Sequence, residues 1–131
     1  MEANGEAIDG DVLWGLRVLV VEDEALVAML VEDMLGDLGC RVLGPAGSVR
    51  QALELLDRET PQAAILDVNL GGESVYPVAD VLKAAGVPFV LATGYGEAGV
   101  AHAYRQAPVL QKPFEQAELE RRFRQAVAGR S

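Results

Sequence analysis

The sequence predicts an α/β fold in which one parallel sheet lies between two layers of helices. Short runs of aliphatic and β-branched residues alternate with segments whose apolar residues recur every three or four positions. Strands that alternate with helices in this way pair in parallel through right-handed crossovers. The chain has 131 residues, half of them hydrophobic, which suffices for one core and leaves little room for a second domain. We therefore predict a three-layer, doubly wound (βα)5 domain.

Five strands and five helices can be placed along the chain. The strand runs are continuous and apolar, as expected for strands covered on both faces, and they occupy residues 17–21, 41–43, 63–66, 87–92 and 109–111. The helical patterns cover residues 27–38, 49–56, 78–85, 97–106 and 119–127. Ser48 is a candidate N-cap for the second helix, and Pro77 fits the first turn of the third. Gly99 interrupts the fourth helical pattern.

Residues 1–15 are expected to form a mobile N-terminal tail, and residues 16–131 the folded domain. The tail is rich in small and acidic residues and shows no hydrophobic period, although Val12, Leu13 and Trp14 are candidates for packing against the body. It lacks the apolar segment of a signal peptide. No run in the chain approaches the ~20 apolar residues of a membrane span. These features predict a cytoplasmic protein without membrane contact.

The net charge argues against a nucleic-acid partner, and the cysteine content excludes two kinds of structural link. The formal net charge is −9, and such a surface repels phosphate backbones, so a nucleic-acid partner is not expected. The chain has one cysteine, Cys40, which excludes an internal disulfide and a cysteine-based zinc site.

Charged and hydroxyl side chains follow four of the five predicted strands. They are Glu22, Asp23 and Glu24 after the first strand, Asp67 after the third, Thr93 after the fourth and Lys112 after the fifth. Ligands of open parallel sheets bind at the carboxyl ends of the strands, near the point where the strand order reverses. We therefore expect these side chains to share one crevice.

The chemistry of this set favours phosphoryl transfer onto Asp67. Carboxylates that crowd together repel one another and need a counter-cation, and an oxygen-only ligand set is typical of Mg²⁺. Lys112 is one of only two lysines, against nine arginines, and its ammonium can pair with a carboxylate at rest and with a phosphoryl oxygen later. Thr93 can donate its hydroxyl to the same oxygen. Positioning and charge neutralisation of this kind supply most of the catalysis in phosphoryl transfer.

Four short motifs together resemble the receiver domain of bacterial two-component response regulators. They are Val20-Val21-Glu22-Asp23-Glu24, Ile65-Leu66-Asp67, Ala92-Thr93-Gly94 and Lys112-Pro113-Phe114. The resemblance covers about residues 16 to 127, with every motif in order at a predicted strand end. It implies a flavodoxin-like receiver fold. It also implies that the protein takes a phosphoryl group from a histidine kinase or a phosphotransfer protein, and then signals to a downstream protein through changed contacts, without an output domain.

The resemblance also implies roles for single residues. Asp67 would be the phosphorylated residue, and Asp23 would ligate Mg²⁺ directly. Glu22 would act on the metal through water, and Asn69 would offer its backbone carbonyl. By the same resemblance, Thr93 and Lys112 are the switch hydroxyl and the family's lysine, with a cis bond expected before Pro113.

The sequence departs from the common receiver pattern in two places, and both departures resemble the FAT-GUY subgroup of receivers. Val109 stands where many receivers carry an aromatic switch residue three positions before the lysine, and Leu70-Gly71-Gly72 lacks the proline that often follows the phosphoacceptor. Residues 91–96 match the subgroup motif in part, since Leu91 replaces phenylalanine and Tyr95 arrives one position early. This subgroup implies an HWE-type or related kinase. Our hypothesis is that residues 94–99, with Tyr95, move as a unit in place of the missing aromatic rotation.

Two alternative functions belong to other classes of protein, a binding module and an enzyme. A module with the same fold that is never phosphorylated would bind a partner without chemistry. A phosphatase of the haloacid dehalogenase type also places a nucleophilic aspartate after a strand, but that family needs a second aspartate two residues later, where this chain has Asn69. We therefore expect a phosphoacceptor and not a turnover enzyme.

Overall fold

A five-stranded parallel sheet forms the centre of the computed structural model, which describes residues 11–129. The strands are β1 (Arg17–Val21), β2 (Arg41–Ala46), β3 (Ala63–Asp67), β4 (Phe89–Thr93) and β5 (Val109–Gln111). Their spatial order is β2-β1-β3-β4-β5, and all neighbouring strands run parallel. The strand order therefore reverses between β1 and β3, which is the ligand-binding position in flavodoxin-like sheets. The predicted fold class is confirmed.

Four α-helices cover the two faces of the sheet. They are α1 (Ala25–Asp37), α2 (Val49–Arg58), α3 (Tyr76–Ala84) and α4 (Gln116–Ala128). Because side chains alternate along a strand, Val18 and Val20 enter the core under α1 and α4, whereas Leu19 and Val21 enter the core under α2 and α3. The Ser48 hydroxyl accepts a hydrogen bond from the backbone N–H of Gln51 at 3.1 Å, so the predicted N-cap of α2 is present.

The predicted fourth helix over residues 97–106 is wrong. The structure has two 3₁₀ turns there, Gly96–Gly99 and His102–Tyr104. Ala101 between them is extended, with φ −62° and ψ 145°, and Gly96 takes a φ of +59°. Neither conformation continues an α-helix. In the described part of the chain, the domain therefore has the five strands of its central sheet, a separate two-stranded hairpin (Asn69–Leu70 and Glu73–Ser74) and only four α-helices.

Strand β2 is longer than predicted. The sequence suggested that it closes at Gly44-Pro45, but it continues to Ala46 through a cis Gly44–Pro45 bond. A register shift between Leu19 and Val21 accommodates the extra length. The carbonyl of Ala46 then accepts the N–H of Glu22 at 2.9 Å, so β2 holds the backbone at the start of the acidic segment.

Residues 11–15, the last part of the predicted N-terminal tail, pack on the body. Leu13 is fully buried in the core under α1 and α4. Both Asp11 carboxylate oxygens accept hydrogen bonds from the Arg124 guanidinium, at 3.0 and 3.1 Å. These bonds, and the Leu13 N–H, lower the pKa of Asp11. The rest of the predicted tail, residues 1–10, lies outside the described residues.

Within residues 11–129, every helix is too short or too polar to cross a membrane.

Candidate functional site

The strand ends bring the predicted site residues to one edge of the sheet. Asp67 is the last residue of β3 and Thr93 the last of β4. The backbone N–H of Lys112, just after β5, donates to the carbonyl of Thr93 at 2.9 Å. Glu22 and Asp23 follow β1. Residues that lie far apart in the chain therefore meet because their strands are neighbours in a parallel sheet.

Three carboxylates of this edge lie close enough to share one cation. Glu22, Asp23 and Asp67 each place an oxygen within 4.8 Å of the others. Glu22 and Asp67 are buried, while Asp23 is exposed, so the cluster is closed on one side and open to solvent on the other. An all-oxygen set with one open side fits Mg²⁺, which keeps several waters.

The Lys112 ammonium bridges two of these acids. Its Nζ lies 2.9 Å from Glu22 Oε1 and 3.1 Å from Asp67 Oδ2. Burial raises the pKa of Glu22 to about 7, although the ammonium opposes this rise. Burial disfavours the charged form of Lys112, but its hydrogen bonds to Glu22 and Asp67 prevail and raise its pKa. The predicted cis bond between Lys112 and Pro113 is present.

The loop after β3 holds the second oxygen of Asp67. The backbone N–H of Asn69 donates to Asp67 Oδ1 at 3.2 Å. The Asn69 side chain in turn accepts the N–H of Gly72 at 2.7 Å, inside a hairpin whose turn residues Gly71 and Gly72 have φ of +60° and +91°. These values are typical of glycine in tight hairpin turns. The role of the Asn69 carbonyl as a metal ligand stays a prediction.

The Thr93 hydroxyl is buried beside the acids. Its oxygen accepts the N–H of Tyr95 at 3.1 Å. A hydroxyl has one proton and two lone pairs, so this bond leaves the proton of Thr93 available for another acceptor. The Tyr95 side chain is 79% exposed, and its role as a switch stays a prediction.

Two features of the site were missed by sequence reasoning. The Gly71-Gly72 pair is a hairpin-turn signal that identifies the turn beside Asp67. Gly99 lies directly against the Thr93 hydroxyl. No signal in the sequence indicates that contact, because it is made through space between two ends of an irregular loop.

Comparison with known proteins places these residues in a family context. A family model described as the response regulator receiver domain matches residues 18–124. The chain is 29% identical to the transcriptional regulatory protein PdtaR of Mycobacterium tuberculosis over 119 residues, which are 88% of this chain and 58% of PdtaR. The chain thus spans little more than half of that relative.

Two solved structures resemble the whole domain. SdrG from Sphingomonas melonis Fr1 is 40% identical, with a TM-score of 0.77, and the match covers 88% of this chain and 98% of SdrG. SdrG has also been solved in a BeF3-activated conformation. The receiver domain of the sensor histidine kinase PA1611 from Pseudomonas aeruginosa PAO1 is 25% identical, with a TM-score of 0.72 and coverage of 88% of this chain and 99% of that one. That structure holds a magnesium ion in its active-site cleft.

Proposed function

Because this chain belongs to the response regulator receiver domain family, we propose that it accepts a phosphoryl group on Asp67 from a phosphohistidine and signals through changed protein contacts. The observation that carries the proposal is the Lys112 ammonium, which lies 3.1 Å from Asp67 and 2.9 Å from Glu22 beside a cluster of three acids. A solvated surface lysine would not be shared between two buried carboxylates.

The proposed step uses the residues in distinct roles. A carboxylate oxygen of Asp67 attacks the phosphorus, a P–O bond forms, and the P–N bond to the donor imidazole breaks. The electron pair of that bond stays on the imidazole nitrogen, which takes up a proton. Lys112 neutralises the negative charge on the transferred group, and the Thr93 hydroxyl donates a hydrogen bond to one oxygen of that group.

The acidic cluster is the proposed magnesium site. Asp23 and Asp67 would hold the ion directly, Glu22 through water, and Asn69 through its carbonyl. The all-oxygen donor set and the magnesium ion in the PA1611 receiver support this assignment. A bound Mg²⁺ would supply positive charge for the phosphoryl oxygens.

We extend the proposal to the FAT-GUY subgroup and an HWE-type kinase. The lack of an aromatic residue at Val109 and the partial motif of residues 91–96 support this extension. In such a receiver the loop of residues 94–99 would carry the change that Val109 cannot.

Acetyl phosphate with Mg²⁺ tests the proposed chemistry. We expect intact-mass measurement to show one phosphoryl adduct, absent without Mg²⁺ and absent in Asp67→Asn, because the nucleophile and the cation are both needed. Asp57→Asn, an exposed acid on α2, is the matched control and should be labelled like the natural chain. An unlabelled natural chain would favour the binding-module alternative. Continuous release of phosphate from p-nitrophenyl phosphate would favour the phosphatase.

An apolar surface on α1 is the proposed docking site of the phosphodonor. Leu26, Met29 and Leu30 are 76%, 58% and 57% exposed. Apolar side chains on the solvent side of a helix are typical of an interaction surface. The helix begins directly after Asp23 and Glu24, so a helix of the donor that packs on these three residues lies beside the acidic cluster. We therefore assign the surface to the histidine-bearing helices of the donor.

Leu30→Glu should separate docking from chemistry. We expect transfer from a phosphorylated histidine kinase that labels the natural chain to slow about tenfold, since a buried apolar anchor contributes more than 1 kcal/mol to binding. Labelling by acetyl phosphate should stay unchanged, because this small donor needs no docking surface. Val81→Glu on α3, also an exposed apolar position, is the control. Equal slowing by both variants would contradict the assignment.

A further inference from the structure

Gly99 lies so close to the Thr93 hydroxyl that it limits where this hydroxyl can lie. A Cβ atom placed on Gly99 would overlap Thr93 Oγ1 and lie 3.0 Å from Cβ of Tyr95. The φ of Gly99 lies outside the left-handed region, so its backbone tolerates a side chain and only the contact forbids one. Gly94 in the same loop also has no left-handed φ, and a Cβ there would meet nothing within 4 Å.

The chain beyond Gly99 is tied to helix α3. The hydroxyl of Tyr76, the first residue of α3, accepts the N–H of Ala101 at 2.7 Å. The ring of Tyr104 stacks on that of Tyr76 with centroids 4.2 Å apart, and its hydroxyl donates to Asp80 at 2.6 Å. Val100, between Gly99 and Ala101, is buried in the core under α2 and α3. The position of Gly99 is therefore set by α3 and not by the loop alone.

We infer that Gly99 and Tyr76 are positioning residues for the Thr93 hydroxyl. Gly99 leaves room for the hydroxyl oxygen to accept the Tyr95 N–H, so that the proton stays available for the phosphoryl group. Tyr76 keeps Gly99 in place through Ala101. The inference rests on the proposed function for its chemical consequence, but the arrangement of Thr93 itself can be measured without any phosphoryl donor.

Gly99→Ala is the direct test, with Gly94→Ala as its matched control. The added methyl group should displace the Thr93 hydroxyl and slow labelling by acetyl phosphate about fivefold or more, the size expected when one donor to a phosphoryl oxygen is misplaced. Mg²⁺ affinity should stay within about twofold, because no carboxylate moves. Hydrogen exchange of the Tyr95 amide should accelerate, while amides of β1 and β3 keep their protection. Gly94→Ala should leave all three measurements unchanged.

Two further variants distinguish positioning from a structural effect. Tyr76→Phe keeps the stacked ring but removes the acceptor of the Ala101 N–H, and we expect a smaller change in the same direction. In a Thr93→Ala background the overlap with Oγ1 no longer exists, so Gly99→Ala should have no further effect on labelling. An equal effect with and without the hydroxyl would overturn the inference, as would unchanged Tyr95 exchange in Gly99→Ala. If the natural chain is not labelled at all, the proposed function fails, and the Tyr95 exchange alone decides the inference.

Discussion

Replacement of Lys112 with methionine is expected to slow phosphorylation of Asp67 by acetyl phosphate about 10²–10³-fold, the usual loss when one preorganised group that neutralises charge at a reaction centre is removed. Methionine retains an apolar stem of similar length but has no charge. The ammonium lies within hydrogen-bond distance of Asp67, so an attached phosphoryl group would meet it directly. The rate of appearance of the adduct, followed by mass at saturating Mg²⁺, measures the effect.

The same substitution should make stability depend on the metal. Without Lys112, Glu22 and Asp67 are two buried acids that have no partner cation among residues 11–129, and we expect a loss of about 1–3 kcal/mol in the free energy of unfolding. This is less than for a fully buried pair, because Lys112 is only half-buried and Glu22 can take up a proton. Mg²⁺ should restore the loss and bind about tenfold more tightly, since a competing positive charge has gone. Denaturant unfolding with and without Mg²⁺ measures both effects.

Lys83→Met is the matched control, since Lys83 is exposed on α3 and is the only other lysine of the chain. It should change neither rate nor stability. A Lys112→Met protein that is phosphorylated at the natural rate would show that the ammonium is a structural partner of the acids and has no part in the transfer.

Leu13→Ala is expected to lower the free energy of unfolding by about 2–4 kcal/mol, the cost of a cavity at a buried leucine. Leu13 is fully buried, and its carbonyl lies 3.4 Å from the Cys40 sulfur as the acceptor of the thiol proton. It therefore fills the core under α1 and α4 as residues of the regular elements do. Chemical denaturation with unchanged m-value would show that only the stability has changed.

The neighbouring Val12→Ala is the control for this prediction. Val12 is exposed, so its truncation should change the free energy of unfolding by no more than about 0.5 kcal/mol. If both substitutions have the same small effect, residues 11–15 belong to the predicted tail and not to the folded body.

The parts of the fold with strong local patterns were predictable. The apolar runs of β1 and β3 are buried on both faces, and no polar residue interrupts either run. The cap at Ser48 depends on a side chain three residues from the N–H that it binds. The convergence of Asp67, Thr93 and Lys112 followed from topology alone, since parallel strands place their carboxyl ends at one edge.

The parts that depend on contacts through space were not predictable. Residues 97–106 carry a weak helical pattern, but the bond between Ala101 and Tyr76 and the stacking of Tyr104 favour two short turns. Leu13 stands between Val12 and Trp14, and the sequence does not show which of the three is buried; only the space under α1 and α4 explains the burial of Leu13. The composition of a segment describes its average character and does not show which single side chain fills a space in the core.

The shared ammonium of Lys112 stabilises the folded domain whether divalent cations are scarce or abundant. Its acids already have a positive partner at rest, so folding makes no demand on the supply of divalent ions. Under the proposed function, scarcity of magnesium would then silence the signal while the protein stays folded, and a return of the ion would restore signalling without new synthesis.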